Sequence, residues 1–117
     1  MVTEGLIPRI TDFYIIGKDG NISIEPILDI GFNGEFSLPK EYRDRCELHF
    51  LGEEDFKIAN GSTVSEEVYI GQVIMDNKPY FVEVSLTDDE DASLGMGIIR
   101  NKVAIFDLKE MKVTVEY

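Results

Sequence analysis

Cys46 and His49 are the single cysteine and single histidine of the chain, and as a thiol–imidazole pair they would make a nucleophile. No third group is visible to orient the imidazole, and an unpaired cysteine usually packs as a small hydrophobe. One cysteine and one histidine also fall short of a zinc set. The run Asp88-Asp89-Glu90-Asp91 lacks the glycine and ligand spacing of a calcium loop and reads as a solvated segment. Leu94-Gly95-Met96-Gly97 is too short for a phosphate cradle and lacks its basic residue. That leaves Asp29, in the run Ile27-Leu28-Asp29-Ile30-Gly31-Phe32-Asn33-Gly34. Its flanks are too apolar for an ordinary solvent loop. A lone carboxylate at the edge of a core is costly unless it has partners, so Asp29 either is hydrogen-bonded within its turn or acts as an acid or base. In the first case Gly31, Gly34 and Gly95 are turn residues only.

The elements that must position Asp29 are mostly strands. Residues 10–16 are rich in β-branched and aromatic types and read as a strand, Gly17-Lys18-Asp19-Gly20-Asn21 is turn chemistry, and 22–28 returns as a second strand ending at Asp29. Along that strand Ile22, Ile24, Leu28 and Ile30 are expected on one face and Asp29 on the other. After a short extended piece over 35–38, Pro39 suits the first turn of a helix. Leu38, Tyr42, Cys46 and Phe50 recur every fourth residue, which predicts an amphipathic helix over 39–48. Residues 56–59, the Asn60-Gly61 turn and 63–70 read as a hairpin with a mixed, exposed face. Residues 71–75, a turn at Asp76-Asn77-Lys78 and 79–86 read as another. An acidic loop over 87–92, a short helix within 93–100 and strands over 102–107 and 112–116 complete the chain.

At 117 residues with 44% hydrophobic content, residues 1–117 are expected to form one domain with a real core. No apolar run approaches the ~20 residues of a membrane span, and the start has no signal pattern. No membrane is expected, and the lone cysteine fits a reducing, cytoplasmic setting. The formal charge of -12, from 23 acidic and 11 basic residues, argues against nucleic acid, whose backbone needs a basic footprint.

The run around Asp29 resembles the active-site signature of the retropepsin-like aspartic peptidases. Members have apolar-apolar-Asp-Thr/Ser-Gly, and many continue with Phe-x-Gly, an apolar stretch and Leu-Pro. Here Leu28-Asp29-Ile30-Gly31-Phe32-Asn33-Gly34 and Leu38-Pro39 match, except that Ile30 replaces the hydroxyl residue. The family's later apolar-apolar-Gly motif is matched by Leu94-Gly95-Met96 with Ile98 and Ile99 behind it, Ser93 and Gly97 departing from the usual Leu and Asp. Its final strands are matched by 103–107 and 113–115.

The resemblance implies an all-β chain, a small closed or partly closed barrel with one or two short helices, working as a homodimer. It implies an aspartic endopeptidase in which Asp29 of each subunit shares a proton and activates water against a peptide or protein substrate, with no cofactor and no metal. Gly31 would support Asp29 through its N–H, and a flap over 56–70, with Asn60-Gly61 at its tip, would close over the substrate. Ile30 cannot make the hydrogen bond that Thr or Ser makes across the dimer axis. The alternative is therefore a catalytically impaired dimer of the same fold that binds peptides without turning them over. An unrelated small barrel would be a monomer.

Overall fold

The structure, a computed structural model, describes residues 9–57 and 59–116. The start of the chain (1–5), Ile58 of the expected flap, and Tyr117 lie outside them. Alternation of side chains sets most of the strands. In β2 (Phe13–Gly17) the odd positions are buried and the even ones half-buried, and β2 pairs with β3 (Gly20–Ile24) through the predicted turn. Two short strands, β1 (Arg9–Ile10) and β4 (Ile27–Leu28), lie side by side. β5 (Phe36–Pro39) is buried at every position. The long antiparallel pair β6 (His49–Lys57) and β7 (Thr63–Met75) follows. β7 then turns at Asp76-Asn77 into β8 (Lys78–Thr87). Both turn residues have positive φ, 51° and 60°, as a tight two-residue hairpin requires. β9 (Ser93–Leu94) leads into the one-turn helix α1 (Met96–Ile99), and β10 (Val103–Asp107) and β11 (Lys112–Glu116) close the chain as a hairpin.

All eleven strands belong to one sheet, in the order β10-β11-β1-β4-β9-β5-β8-β7-β2-β3, with β6 alongside β7. It wraps around Phe13, Ile15, Phe36, Leu38, Val73, Val84, Leu86 and Leu94, each at most 1% exposed. Phe13 and Phe36 meet with ring centroids 5.2 Å apart. Burying a side chain of this size contributes ~1.5–3 kcal/mol, so this cluster fixes where β4, β5 and β9 sit. Those three strands carry the loop that holds Asp29.

Three expectations need correction. The helix over 39–48 is absent: Lys40–Tyr42 make one 3-10 turn. The chain is then captured by β2, with the N–H of Lys18 donating to the carbonyl of Arg45 (2.9 Å) and that of Glu47 to the carbonyl of Ile16 (3.2 Å). The four-residue spacing was coincidence; Leu38 and Cys46 are buried on sheet elements, whereas Phe50 lies 60% exposed on β6. The strand over 22–28 is likewise broken at Glu25-Pro26, because proline cannot donate to a ladder. Ile30, past that break, leaves the face of Ile24 and Leu28 and is 69% exposed. Third, the two expected hairpins share a strand, β7 running unbroken through Gly71.

Candidate active site

Asp29 leaves the sheet at the end of β4. Its N–H donates to the carbonyl of Leu94 at 2.9 Å, extending the parallel β4–β9 pairing by one residue. The next residues turn: the N–H of Phe32 reaches the carbonyl of Asp29 (3.2 Å), and the N–H of Gly31 donates to Asp29 Oδ1 at 2.9 Å. One oxygen is thereby fixed in direction. The side chain as a whole stays exposed in the single chain.

The loop is clasped from behind by Leu94-Gly95-Met96. The N–H groups of Gly95, Met96 and Gly97 donate to the carbonyls of Glu35 (2.9 Å), Phe32 (2.7 Å) and Gly34 (3.0 Å). Only glycine fits at 95, where a β-carbon would lie 2.3 Å from the Gly34 carbonyl oxygen. Glu35 ties the same loop to β8, its Oε1 accepting from the N–H of Glu83 at 2.7 Å.

A cavity of about 280 Å³ opens beside Asp29. Gly31, Phe32, the cross-strand pair Ser37 and Ser93, Glu66 of β7, Thr87 and Asp89 line it. Glu66 is half-buried. Burial, then the Asp89 carboxylate, pushes its carboxyl above the usual glutamate range; Lys40 pulls the other way, and Asp88 and Glu54 add to the rise. Asn60-Gly61 forms the turn of the β6–β7 hairpin, with Gly61 at φ 87° and Asn60 Oδ1 accepting from the N–H of Ser62 at 2.8 Å.

Among solved structures the chain is similar to the EIAV protease complexed with the inhibitor HBY-793. The TM-score is 0.60 at 17% identity, over 86% of this chain and 93% of that one. The fold is retropepsin-like. No protein-family model and no curated protein matches the chain.

Within the retropepsin-like fold, Asp29, Gly31 and Leu94-Gly95-Met96 are brought into one hydrogen-bonded unit. Asn60 and Gly61 are not among the residues lining the cavity beside Asp29. Ile30 projects to the surface next to Asp29 rather than into the core. Cys46 and His49 both line an open hollow that Asp29 does not border. Burial raises the Cys46 thiol over the opposing pull of Arg45 and Lys18, the reverse of what a nucleophilic thiolate needs. Sequence reading missed Glu66 and Asp89 as neighbours of Asp29. They meet it through the parallel pairing of β5 with β8 and the reach of β7, and no local spacing encodes that.

Proposed function

We propose that the chain is a homodimeric aspartic endopeptidase in which Asp29 of each subunit provides half of the acid–base pair. The observation that carries this reading is the Asp29 carboxylate held by the Gly31 N–H at 2.9 Å on a loop of a retropepsin-like fold. Peptide hydrolysis by this route needs two carboxylates about 3 Å apart sharing one proton, the ionised one as base on water and the protonated one polarising the carbonyl. The chain brings one such carboxylate, so a two-fold axis must supply the other. Exposed apolar groups are available for that contact: Ile30 beside Asp29, and Val103, Ile105 and Leu108 on or next to β10, the outermost strand. Two Ile30 side chains meeting at the axis would contribute ~0.8 kcal/mol per buried methylene. The β6–β7 hairpin would close over the bound peptide and exclude water.

The test pairs sedimentation over a range of concentrations with cleavage of an unfolded polypeptide at acid pH. The reading expects dimers, cleavage blocked by a statine-type inhibitor, and loss of cleavage in Asp29→Asn. Monomers at every concentration would end it. One observation favours a second reading, a dimeric peptide-binding module without turnover: Ile30 has no hydroxyl to brace the two loops, and an ångström of slack in such a site costs ~10²-fold. That reading expects peptide association without cleavage.

A further inference from the structure

We propose that Arg43 is a positioning residue: through Glu67 it pins the root of the β6–β7 arm and sets how that arm stands beside the Asp29 cavity. The pin is independent of the peptidase reading, and its effect on substrate rests on that reading. Three features of the two strands meet at one level. β7 gains its second neighbour, β8, at Val68, so Glu67 is the last residue held by β6 alone. On β6 the register slips between Phe50 and Gly52, and Gly52 has φ 152°; a bulge of this kind bends its strand and disrupts the ladder. The pairing also sets Glu53 opposite Glu67 and Glu54 opposite Glu66, and like charges opposed across a ladder destabilise it. The arm is weakest where it leaves the body.

Arg43 meets it at that point. Its Nη2 donates to Glu67 Oε2 at 2.9 Å, and the Tyr69 hydroxyl donates to the same oxygen at 2.5 Å. Tyr69 in turn packs on the core and meets the ring of Phe50 of β6, centroids 5.3 Å apart. Arg43 itself stands on bonded backbone. Its N–H donates to the Lys40 carbonyl at 3.0 Å, and the N–H of buried Cys46 donates to the Tyr42 carbonyl at 3.2 Å. Among the described residues no other ion pair joins the arm to the body: Arg9 pairs with Asp91 and Lys40 with Asp88. Successive residues of a strand face opposite ways. Glu66 lines the cavity beside Asp29, while Glu67 turns its carboxylate to Arg43, which does not line that cavity. A tilt at Glu67 therefore carries Glu66 with it and alters the cavity.

The test is amide hydrogen exchange on the full chain, in the wild type, Arg43→Met and Arg43→Lys. Arg43→Met should speed exchange over 53–57 and 63–67 about two- to fivefold, the span of an exposed ion pair. The amides of β2 and β5 should keep their rates, and Arg43→Lys, which keeps the charge, should restore most of the protection. If Arg43→Met does not fold, the wild type is followed as salt rises from about 50 to 500 mM, where screening should speed the same amides. On an uncharged fluorogenic peptide, Arg43→Met should raise KM by a similar factor with kcat unchanged, the mark of lost binding that ground and transition states share. Arm amides that respond to neither Arg43→Met nor salt overturn the proposal. So does exchange speeded equally in core and arm, which would make Arg43 a stabiliser of the fold only. An unchanged KM where peptide is cleaved overturns it as well. If no peptide is cleaved, the peptidase reading falls and the exchange rates alone decide the pin.

Discussion

Gly95 lies so close to Gly34 that a β-carbon on it would stand 2.3 Å from the Gly34 carbonyl oxygen and 2.5 Å from the Phe32 ring. Both obstacles belong to the loop that carries Asp29, and one is backbone. Gly95→Ala therefore has to push the loop away. Overpacking of this kind costs ~1–3 kcal/mol, so the variant should melt lower and cleave less than the parent.

Asp29→Asn should leave stability within ~0.5 kcal/mol, as for surface changes generally. The side chain is exposed, and the amide oxygen of Asn can still accept from the Gly31 N–H. Cleavage should fall ~10²–10⁴-fold, the usual span for losing an acid–base group. Denaturation and turnover measured on one preparation separate the two effects.

Ile30 offers a pair of opposing substitutions. Ile30→Asp would place two like charges at the proposed axis and should shift sedimentation toward single chains, with activity lost in parallel. Ile30→Thr restores a hydroxyl and should raise turnover without changing the oligomer.

Glu66 gives a pH signature. Its carboxyl is raised in the folded chain by burial, with Asp89 as the next cause. The folded state therefore holds the proton more tightly than the unfolded one, and this group costs stability above its folded pKa. The cost disappears as pH falls below the ordinary glutamate range. Glu66→Gln should thus be more stable than the parent at pH 7 and indistinguishable from it near pH 3, read by denaturant titration at both.

Cys46 is 1% exposed and its thiol is raised by burial. A disulfide reagent at pH 8 should leave the native protein unmodified and label one thiol per chain once denaturant unfolds it.

The strands and the turn at Asp29 were legible because their signals are local: alternation, Asn-Gly, Asp-Asn, and the ordered spacing of short motifs. The failures were of two physical kinds. The helix expected over 39–48 lost to a sheet that claimed its backbone groups, Glu47 donating to Ile16 of β2 and Arg45 accepting from Lys18 of the turn that follows it. The face assigned to Ile30 assumed an unbroken strand, and Pro26 interrupts it. That Glu66 and Asp89 line the cavity beside Asp29 was hidden for another reason. Glu66 and Asp89 are 23 residues apart in sequence, and only the three-dimensional course of β7 and β8 brings them to one cavity.

The thirteen residues of β7 are held unevenly. From Thr63 to Glu67 the strand bonds to β6 alone; from Val68 onward it also bonds to β8, and from Val73 to β2. It is a cantilever, free at Asn60-Gly61 and gripped at its root. Amide deuteration should then be quick over the first five residues and slow beyond them, with the bend at Val68, which is 3% exposed, rather than at Gly71. Glu66 lies on the part of β7 that bonds to β6 alone, whereas Asp89 follows the end of β8.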